Sequence, residues 1–163
     1  MKKLLTLIAA AALAACSAQT DAPAHHADTS MAEHHGPHIL SHDSAVDFDA
    51  TLAQLRGAID ARGFKTFAVI DHGAGAQTVD VDLRPTTLVI FGNPKGGAPV
   101  MQAEQLMGLE LPLKMLVTQN ADGLVTLSWR DMEHTFHEYG IGDHPAAEKM
   151  SGALAAIAEE AGR

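Results

Sequence analysis

The sequence has few cysteines, few aromatic residues and few positive charges. It contains one cysteine, one tryptophan, one tyrosine and five phenylalanines in 163 residues, with 11 basic and 20 acidic side chains. A single cysteine cannot form an intrachain disulfide, so no disulfide framework holds the fold. Because aromatic residues are scarce, the core must consist mainly of aliphatic side chains and methionine. The formal charge of −9 argues against non-specific nucleic-acid binding, which needs cations that displace phosphate counterions.

The N-terminus has the pattern of a bacterial lipoprotein leader. Lys2 and Lys3 precede an apolar run, residues 4–15, which is shorter than the about 20 residues that span a bilayer core. The pattern predicts a signal peptide over residues 1–15, ending in the lipobox-like Leu13-Ala14-Ala15-Cys16. We therefore predict that Cys16 carries palmitate-type acyl chains that anchor the protein. Ser17, in place of an Asp, favours the outer membrane, facing the periplasm. An ordinary signal peptide with an incidental cysteine is the alternative.

The next segment, residues 16–37, is rich in Ala, Ser, Thr, Asp, Pro and His and has no apolar period. This composition cannot bury enough apolar surface to offset the loss of chain entropy, and it predicts a disordered tether. Histidine-rich tracts can gather imidazoles around Cu(II), Zn(II) or Ni(II). The candidate ligands are His25, His26, His34, His35 and His38. A polar spacer that binds no metal is the alternative.

The remaining residues, 38–163, have the pattern of a single α+β domain. Apolar residues at helical spacing, with a capping serine before them and a glycine after them, predict a first helix: Phe48, Leu52, Leu55 and Ile59, with Ser44 and Gly63. Strands are predicted at residues 37–41, 67–70 and 88–91. Residues 114–119 and 124–129 flank a turn sequence, which predicts an antiparallel hairpin. A second helix is predicted over residues 146–161, after Pro145.

Signatures of common catalytic sites are absent. The sequence has neither a Gly-x-Ser-x-Gly elbow nor a phosphate-binding loop, and the lone cysteine is predicted to carry lipid. Residues 133–138, if helical, place His134, His137 and Glu138 on one face, where two imidazoles can hold a metal ion. Their spacing matches neither His-Glu-x-x-His nor its inverse. A solvated polar turn is therefore the interpretation that we favour for this segment.

The middle of the chain contains a specific stretch, Phe91-Gly92-Asn93-Pro94, within residues 83–95, and further characteristic segments at residues 63–65, 70–72, 98–102 and 111–114. Through these segments, about positions 39–142 resemble the family called domain of unknown function 302. The resemblance implies an α+β fold in which helices cover an antiparallel sheet, with a TATA-binding-protein-like layout. It also implies that a homodimer is possible. The likeness to a DNA-binding layout does not carry nucleic-acid binding over to an acidic chain.

The chain departs from the family pattern near its end and keeps a candidate pocket in its middle. Where the family typically has Arg-His-Gly, this sequence has Glu138-Tyr139-Gly140, so a role for the family histidine does not transfer. His72 at a strand end, the basic residues Arg84 and Lys114, and the amide of Asn93 could form a small anion pocket. Turn formation by Asn93 and surface ion pairs of the basic residues are the alternative.

Together these features predict an envelope lipoprotein with an accessory role, which binds a small ligand or a metal ion. A binding role is favoured over an enzymatic one. The alternatives are an enzyme that uses His72 as acid or base on a small anionic substrate, and a structural module that dimerises through its sheet edge. The sequence does not identify the small ligand or the metal.

Overall fold

A computed structural model describes residues 38–163 of the chain, so the predictions for the leader, for Cys16 and for the tether lie outside the described residues. The described part alternates strands and helices around one hydrophobic core. The elements, in chain order, are β1 (Ile39–Ser44), α1 (Phe48–Ala61), β2 (Lys65–Asp71), α2 (His72–Gln77), β3 (Thr86–Gly92), α3 (Pro94–Ala103), a 3₁₀ helix (Gln105–Leu109), β4 (Leu113–Gln119), β5 (Val125–Arg130), α4 (Met132–Glu138) and α5 (Ala146–Ala161).

The five strands form one sheet in the order β1-β5-β4-β3-β2, and every neighbouring pair is antiparallel. The first and last strands of the described residues, β1 and β5, lie side by side, with Ile39 opposite Arg130. Helix α1 carries the chain from β1 at one edge of the sheet to β2 at the other edge. The predicted α+β class with an antiparallel sheet is confirmed.

One face of the sheet is covered by helices and forms the core. Along β4 and β5, alternate side chains such as Met115, Val117 and Leu127 are fully buried, as the two-residue period of a half-covered strand requires. Helices α1 and α5 pack on this face through Leu55, Ile59, Leu154 and Ile157, all of which are fully or almost fully buried. Aliphatic residues and methionine supply most of the core, as the composition predicts.

The opposite face of the sheet is open in the described part of the chain. It forms a shallow groove with apolar residues such as Leu88 and Leu116 at its centre and the basic residues Lys114 and Arg130 at one end. These side chains are half-buried, because no helix covers them fully. The positive charges of Lys114 and Arg130 thus border the groove at the end of the sheet where α4 begins.

The predicted hairpin and both predicted helices are confirmed. In the hairpin turn, the Asn120 Oδ1 accepts hydrogen bonds from the backbone N–H groups of Asp122 (3.0 Å) and Leu124 (2.9 Å), and Gly123 has a φ of 86°. The cap of α1 differs from the prediction. Asp47, not Ser44, caps the helix by accepting from the Ala50 N–H at 2.8 Å. The Ser44 hydroxyl instead lies 2.7 Å from that of Thr51, which is buried.

Three helices and a 3₁₀ helix were not predicted, and one of them corrects an interpretation. The solvated polar turn expected at residues 133–138 is wrong, because Met132–Glu138 form helix α4. Asp131 caps this helix, and Met132, Thr135 and Phe136 bury its inner face. Short helices of this kind are stabilised by tertiary packing. A search for long periodic patterns in the sequence therefore does not detect them. In the part of the chain that the structure describes, no helix is both long enough and apolar enough to cross a bilayer.

Candidate functional site

Helix α4 places one histidine and one carboxylate on the same exposed face. Asp131 fixes the start of the helix, because its Oδ1 accepts from the His134 backbone N–H at 3.2 Å. Residues four apart lie one above the other on a helix, and His134 and Glu138 are so placed. The His134 Nε2 lies 3.5 Å from the Glu138 Oε1.

His38, at the start of the described residues, reaches the same place. Its backbone oxygen accepts a hydrogen bond of 2.8 Å from the N–H of Asp131, which holds residue 38 against the start of α4. The imidazole rings of His38 and His134 stack, with 3.4 Å between centroids and 14° between planes. The His38 Nδ1 is buried and has no hydrogen-bond partner among the described residues. A buried nitrogen without a partner is costly unless a ligand satisfies it.

These three side chains form a group that could hold a metal ion. One ligand atom from each of His38, His134 and Glu138 can be chosen so that all three lie within 4.8 Å of one another. Two imidazoles and a carboxylate suit Zn(II), Cu(II) or Ni(II) better than Mg²⁺ or Ca²⁺, which prefer oxygen ligands. The group joins His38, which was predicted as a ligand from composition, to two residues of a segment that was predicted to be a turn.

A charged network holds Glu138 from its other side. Arg130 donates from its Nη2 to the Glu138 Oε2 at 2.9 Å, which leaves the Oε1 facing His134. The Nε of Arg130 lies 3.8 Å from the Glu110 Oε2, an ion pair too long for a hydrogen bond. Glu110 also accepts from the Tyr139 hydroxyl at 3.2 Å, and its backbone oxygen accepts from the Lys114 Nζ at 2.7 Å. The carboxylate of Glu138 is therefore oriented before any ion binds.

Two ionisable groups of this network have shifted pKa values. Burial lowers the pKa of Lys114 below its ordinary 10.5; Glu110 opposes that change and Arg130 adds to it. Burial raises the pKa of Tyr139 above 10.0, and so do its hydrogen bond to Glu110 and the negative charges of Glu110 and Glu138; Arg130 opposes the increase. The neutral phenol of Tyr139 serves as a hydrogen-bond donor to Glu110.

His137, the third residue proposed for a helical face at 133–138, is not part of the metal group. Its ring lies tightly over Gly142, where a Cβ would clash with it. On a helix, a residue three positions after His134 is displaced from the line joining positions i and i+4. The less favoured interpretation of residues 133–138, in which His134, His137 and Glu138 share a face that can hold a metal, therefore applies to His134 and Glu138 only, joined by His38.

The predicted anion pocket of His72, Arg84, Asn93 and Lys114 does not assemble. Asp71, next to the exposed His72, pairs with Thr87 at the start of β3. Lys114 pairs with Ile90 near the end of β3, about 10 Å further along that strand.

Arg84 lies at the His72 end of the sheet, in the exposed loop before β3, so the two halves of the predicted pocket are separated. Asn93 lies beyond the far end of β3. Its Oδ1 accepts from the Lys95 N–H at 3.0 Å and its Nδ2 donates to the Gly63 carbonyl at 3.3 Å, which is the turn-forming role that was the alternative. An acid–base role for His72 on an anion bound by these residues loses its geometric basis.

Sequence reasoning missed Glu110, Arg130 and Tyr139 as neighbours of the site. The i, i+4 spacing of His134 and Glu138 was a usable signal, but the proximity of His38 depends on the pairing of β1 with β5, which no local pattern encodes. Of the predicted tether ligands, only His38 lies within the described residues; His25, His26, His34 and His35 lie outside them, as does Cys16.

Comparison with known proteins agrees with this fold. Residues 40–157 match the family model described as "Domain of unknown function DUF302". The crystal structure of an uncharacterised conserved protein DUF302 from Bacillus stearothermophilus superposes with a TM-score of 0.70 at 19% identity, over 78% of this chain and 100% of that one. At this identity, the likeness concerns the fold alone.

Curated relatives share a shorter stretch. Two proteins called "Fluoride-specific ion channel FluC 1", from Brucella suis biovar 1 (strain 1330) and Brucella abortus biovar 1 (strain 9-941), are each 34% identical to this chain over 104 residues. The match covers 64% of this chain but only 41% and 38% of those proteins. The chain thus spans about two-fifths of the length of the curated relatives that it matches.

Proposed function

This chain belongs to the DUF302 family, whose name specifies no activity, and from its own side chains we propose that it binds a divalent transition-metal ion at His38, His134 and Glu138. The observation that carries this proposal is the meeting of two imidazoles and a carboxylate, one imidazole from the start of the described residues and the other two groups from helix α4. The unpartnered, buried Nδ1 of His38 supports it. We assign no channel activity to this chain, because the match to the Brucella proteins covers about two-fifths of their length.

Binding requires the two stacked rings to move apart. The lone pair of an imidazole nitrogen lies in the ring plane, so an ion shared by two parallel rings 3.4 Å apart would lie outside at least one plane. We expect the rings to splay until both nitrogens point at the ion, at about 2.0–2.1 Å for Zn(II). The hydrogen bond from Arg130 then remains on the Glu138 Oε2 and orients the carboxylate, as outer partners of metal ligands commonly do.

Three protein ligands leave at least one position on the ion open, which suits a binding or transfer role. The histidines of the N-terminal segment, His25, His26, His34 and His35, supply further donors of low selectivity for Cu(II), Zn(II) or Ni(II). We place the domain at the cell envelope, anchored through acylated Cys16 to the outer membrane and facing the periplasm. Two copies can also pair through an unpaired sheet edge, and no nucleic acid is a partner of so acidic a chain.

Calorimetric titration of Zn(II) and Cu(II) tests the site in the lipidated protein in detergent. The parent protein for the test carries alanine at His25, His26, His34 and His35, so that these histidines do not contribute to binding. In this background, His134→Ala and Glu138→Gln should each weaken binding by more than the tenfold or so that loss of an outer hydrogen-bond partner typically costs.

His137→Ala is the matched control, because it removes a histidine of the same helix that lies over Gly142 instead of facing Glu138. It should leave the metal affinity unchanged. Equal affinities for the parent, His134→Ala and Glu138→Gln proteins would refute the site. Comparison of the parent with the chain that retains all tether histidines measures the separate contribution of the tether.

A further inference from the structure

A second concave site lies away from the metal group, where the ends of β2 and β3 meet α3 and α5. It is a cavity of about 430 Å³, within the usual range of about 300–1,000 Å³ for small-molecule sites. Its lining is predominantly apolar, comes from four parts of the chain and includes Phe64, Phe67, Met101, Leu111, Met150 and Ala153.

Two features show that the cavity is open to a ligand. Phe67 and Met101 are 47% and 38% exposed, although both are large apolar residues that line it. At Gly92 and Gly97 the lining has no side chain, and a Cβ there would make ordinary van der Waals contact with the Phe67 ring at 3.4 Å and with the Leu111 side chain at 3.6 Å. The cavity therefore has space for apolar ligand atoms that the lining side chains do not fill.

The charge at the cavity is opposite to that of the whole protein. Lys149 is the only charged residue among the fifteen described residues that line it, and no Asp or Glu is among them. In a chain with 20 acidic and 11 basic residues, a lining with one cation and no anion favours a ligand with a single negative group. Lys149 belongs to α5 and is exposed, so its ammonium can meet such a group at the solvent side.

We propose that this cavity binds a free, single-chain amphiphilic carboxylate, with the apolar chain between α3 and α5 and the carboxylate at Lys149. A water molecule occupies about 30 Å³ and a methylene group is of similar size, so the cavity holds roughly fourteen heavy atoms. A medium-chain fatty acid such as decanoate matches that size. This site is independent of the proposed metal centre, which lies at the start of α4.

Calorimetric titration with decanoate tests the proposal in the lipidated protein, at a concentration below that at which decanoate forms micelles. Ala153→Phe fills the cavity from α5 and should abolish binding, whereas Ala155→Phe, at an exposed position of the same helix, should leave it unchanged. Lys149→Gln should weaken decanoate binding about three- to fivefold, the value of one exposed ion pair, and Lys149→Arg should restore it. Arg56→Gln controls for the loss of one positive charge.

A neutral ligand separates the contribution of the ligand's apolar chain to binding from that of its carboxylate. Decanol should bind the wild-type and Lys149→Gln proteins equally, but it should not bind Ala153→Phe. Methyl NMR of labelled methionines gives the location, since Met101 and Met150 line the cavity while Met132 belongs to α4. Decanoate should shift the first two resonances and not the third.

Three results would overturn the proposal. The first is decanoate affinity that is equal in the wild-type and Ala153→Phe proteins. The second is a shift at Met132 without shifts at Met101 and Met150. The third is a concentration-dependent dimer, measured by light scattering, that Ala153→Phe dissociates and decanoate does not, because it would assign the cavity to a second copy of the chain. Zn(II) affinity should be the same in the Ala153→Phe and wild-type proteins, so the cavity and the metal centre are tested separately.

Discussion

At the scale of single residues, the site depends on which carboxylate oxygen of Glu138 and of Glu110 already accepts a hydrogen bond. Arg130 takes the Oε2 of Glu138, and the hydroxyl of Tyr139 donates to the Oε1 of Glu110. Neither arrangement is visible in the sequence, because Glu110 and Tyr139 are 29 positions apart. Their proximity arises from packing between the segment before β4 and the end of α4. The sequence identified Tyr139 only as a departure from the family pattern.

The environment of Tyr139 leads to a spectroscopic prediction, because it is the only tyrosine in the chain. Burial, the hydrogen bond to Glu110 and the charges of Glu110 and Glu138 raise its pKa above 10.0 in the folded protein. Ultraviolet titration of phenolate absorbance should therefore have a midpoint above 10 in the native protein. In Glu110→Gln the midpoint should fall towards 10 but stay above it, since burial persists.

The effect on stability has a defined sign. A raised folded-state pKa means that the folded state holds the phenol proton more tightly than the unfolded state does. The resulting stabilisation is complete below pH 10 and is lost as the pH rises through the folded-state value. Titration in urea supplies the control, because the unfolded chain should titrate near 10. A native midpoint at or below 10, or a Glu110→Gln midpoint equal to that of the wild type, would contradict this account.

At the scale of elements, long periodic helices and the hairpin were predictable and short capped helices were not. The apolar spacing from Phe48 to Ile59 and the run over Ala146–Ala161 each mark a face that packs on the sheet. Helix α4 has only seven residues, three of them buried, and its inner face is too short to produce a clear period. Its position depends on the cap at Asp131. This residue directly follows β5, and its backbone N–H donates to the carbonyl oxygen of His38.

Asp131→Ala tests the contribution of this cap. The substitution removes the hydrogen bond from the His134 N–H to the Asp131 Oδ1, and the loss of such a cap costs about 1 kcal/mol, in the range of roughly 0.5–2 kcal/mol. Urea denaturation should show a lower midpoint with an unchanged slope. Because the first turn of α4 also positions His134, affinity for Zn(II) should fall in the same variant.

Asp131→Asn is the matched variant, since asparagine caps helices about as well as aspartate. It should retain most of the stability and of the metal affinity. Asp71→Ala removes the corresponding cap of α2, where the hydrogen bond from the Ala74 N–H is exposed, and should leave metal binding unchanged. An unchanged midpoint for Asp131→Ala would show that packing alone positions α4.

At the scale of the whole molecule, the fold class could be predicted from the sequence and the metal group could not. Strand and helix periods, together with the family resemblance, were sufficient for an antiparallel sheet covered by helices. The metal group joins His38 and His134, which are distant in sequence and which the pairing of β1 with β5 brings together. A sheet order in which β1 lies next to β5 is a global property, and no spacing within either segment encodes it.

The proposed position of the protein in the cell envelope also concerns the whole molecule, and substitutions at Cys16 and Ser17 test it. Removal of the leader takes away Lys2 and Lys3 and changes the formal charge from −9 to −11, so attraction to anionic lipid would not hold the mature chain at a membrane. The proposed anchoring then depends on acyl chains at Cys16. Cys16→Ser should move the protein from the membrane fraction to the soluble fraction.

Ser17→Asp separates anchoring from sorting, because it retains the acylated cysteine and changes only the residue after it. In a bacterial host, density-gradient separation of the two membranes should place the wild-type protein in the outer membrane and Ser17→Asp in the inner membrane. Mass spectrometry of each purified protein should detect acyl chains on both and none on Cys16→Ser. Membrane retention of Cys16→Ser would show that the lipid is not the anchor. If the wild-type and Ser17→Asp proteins appear in the same membrane fraction, residue 17 does not direct the protein to the outer membrane.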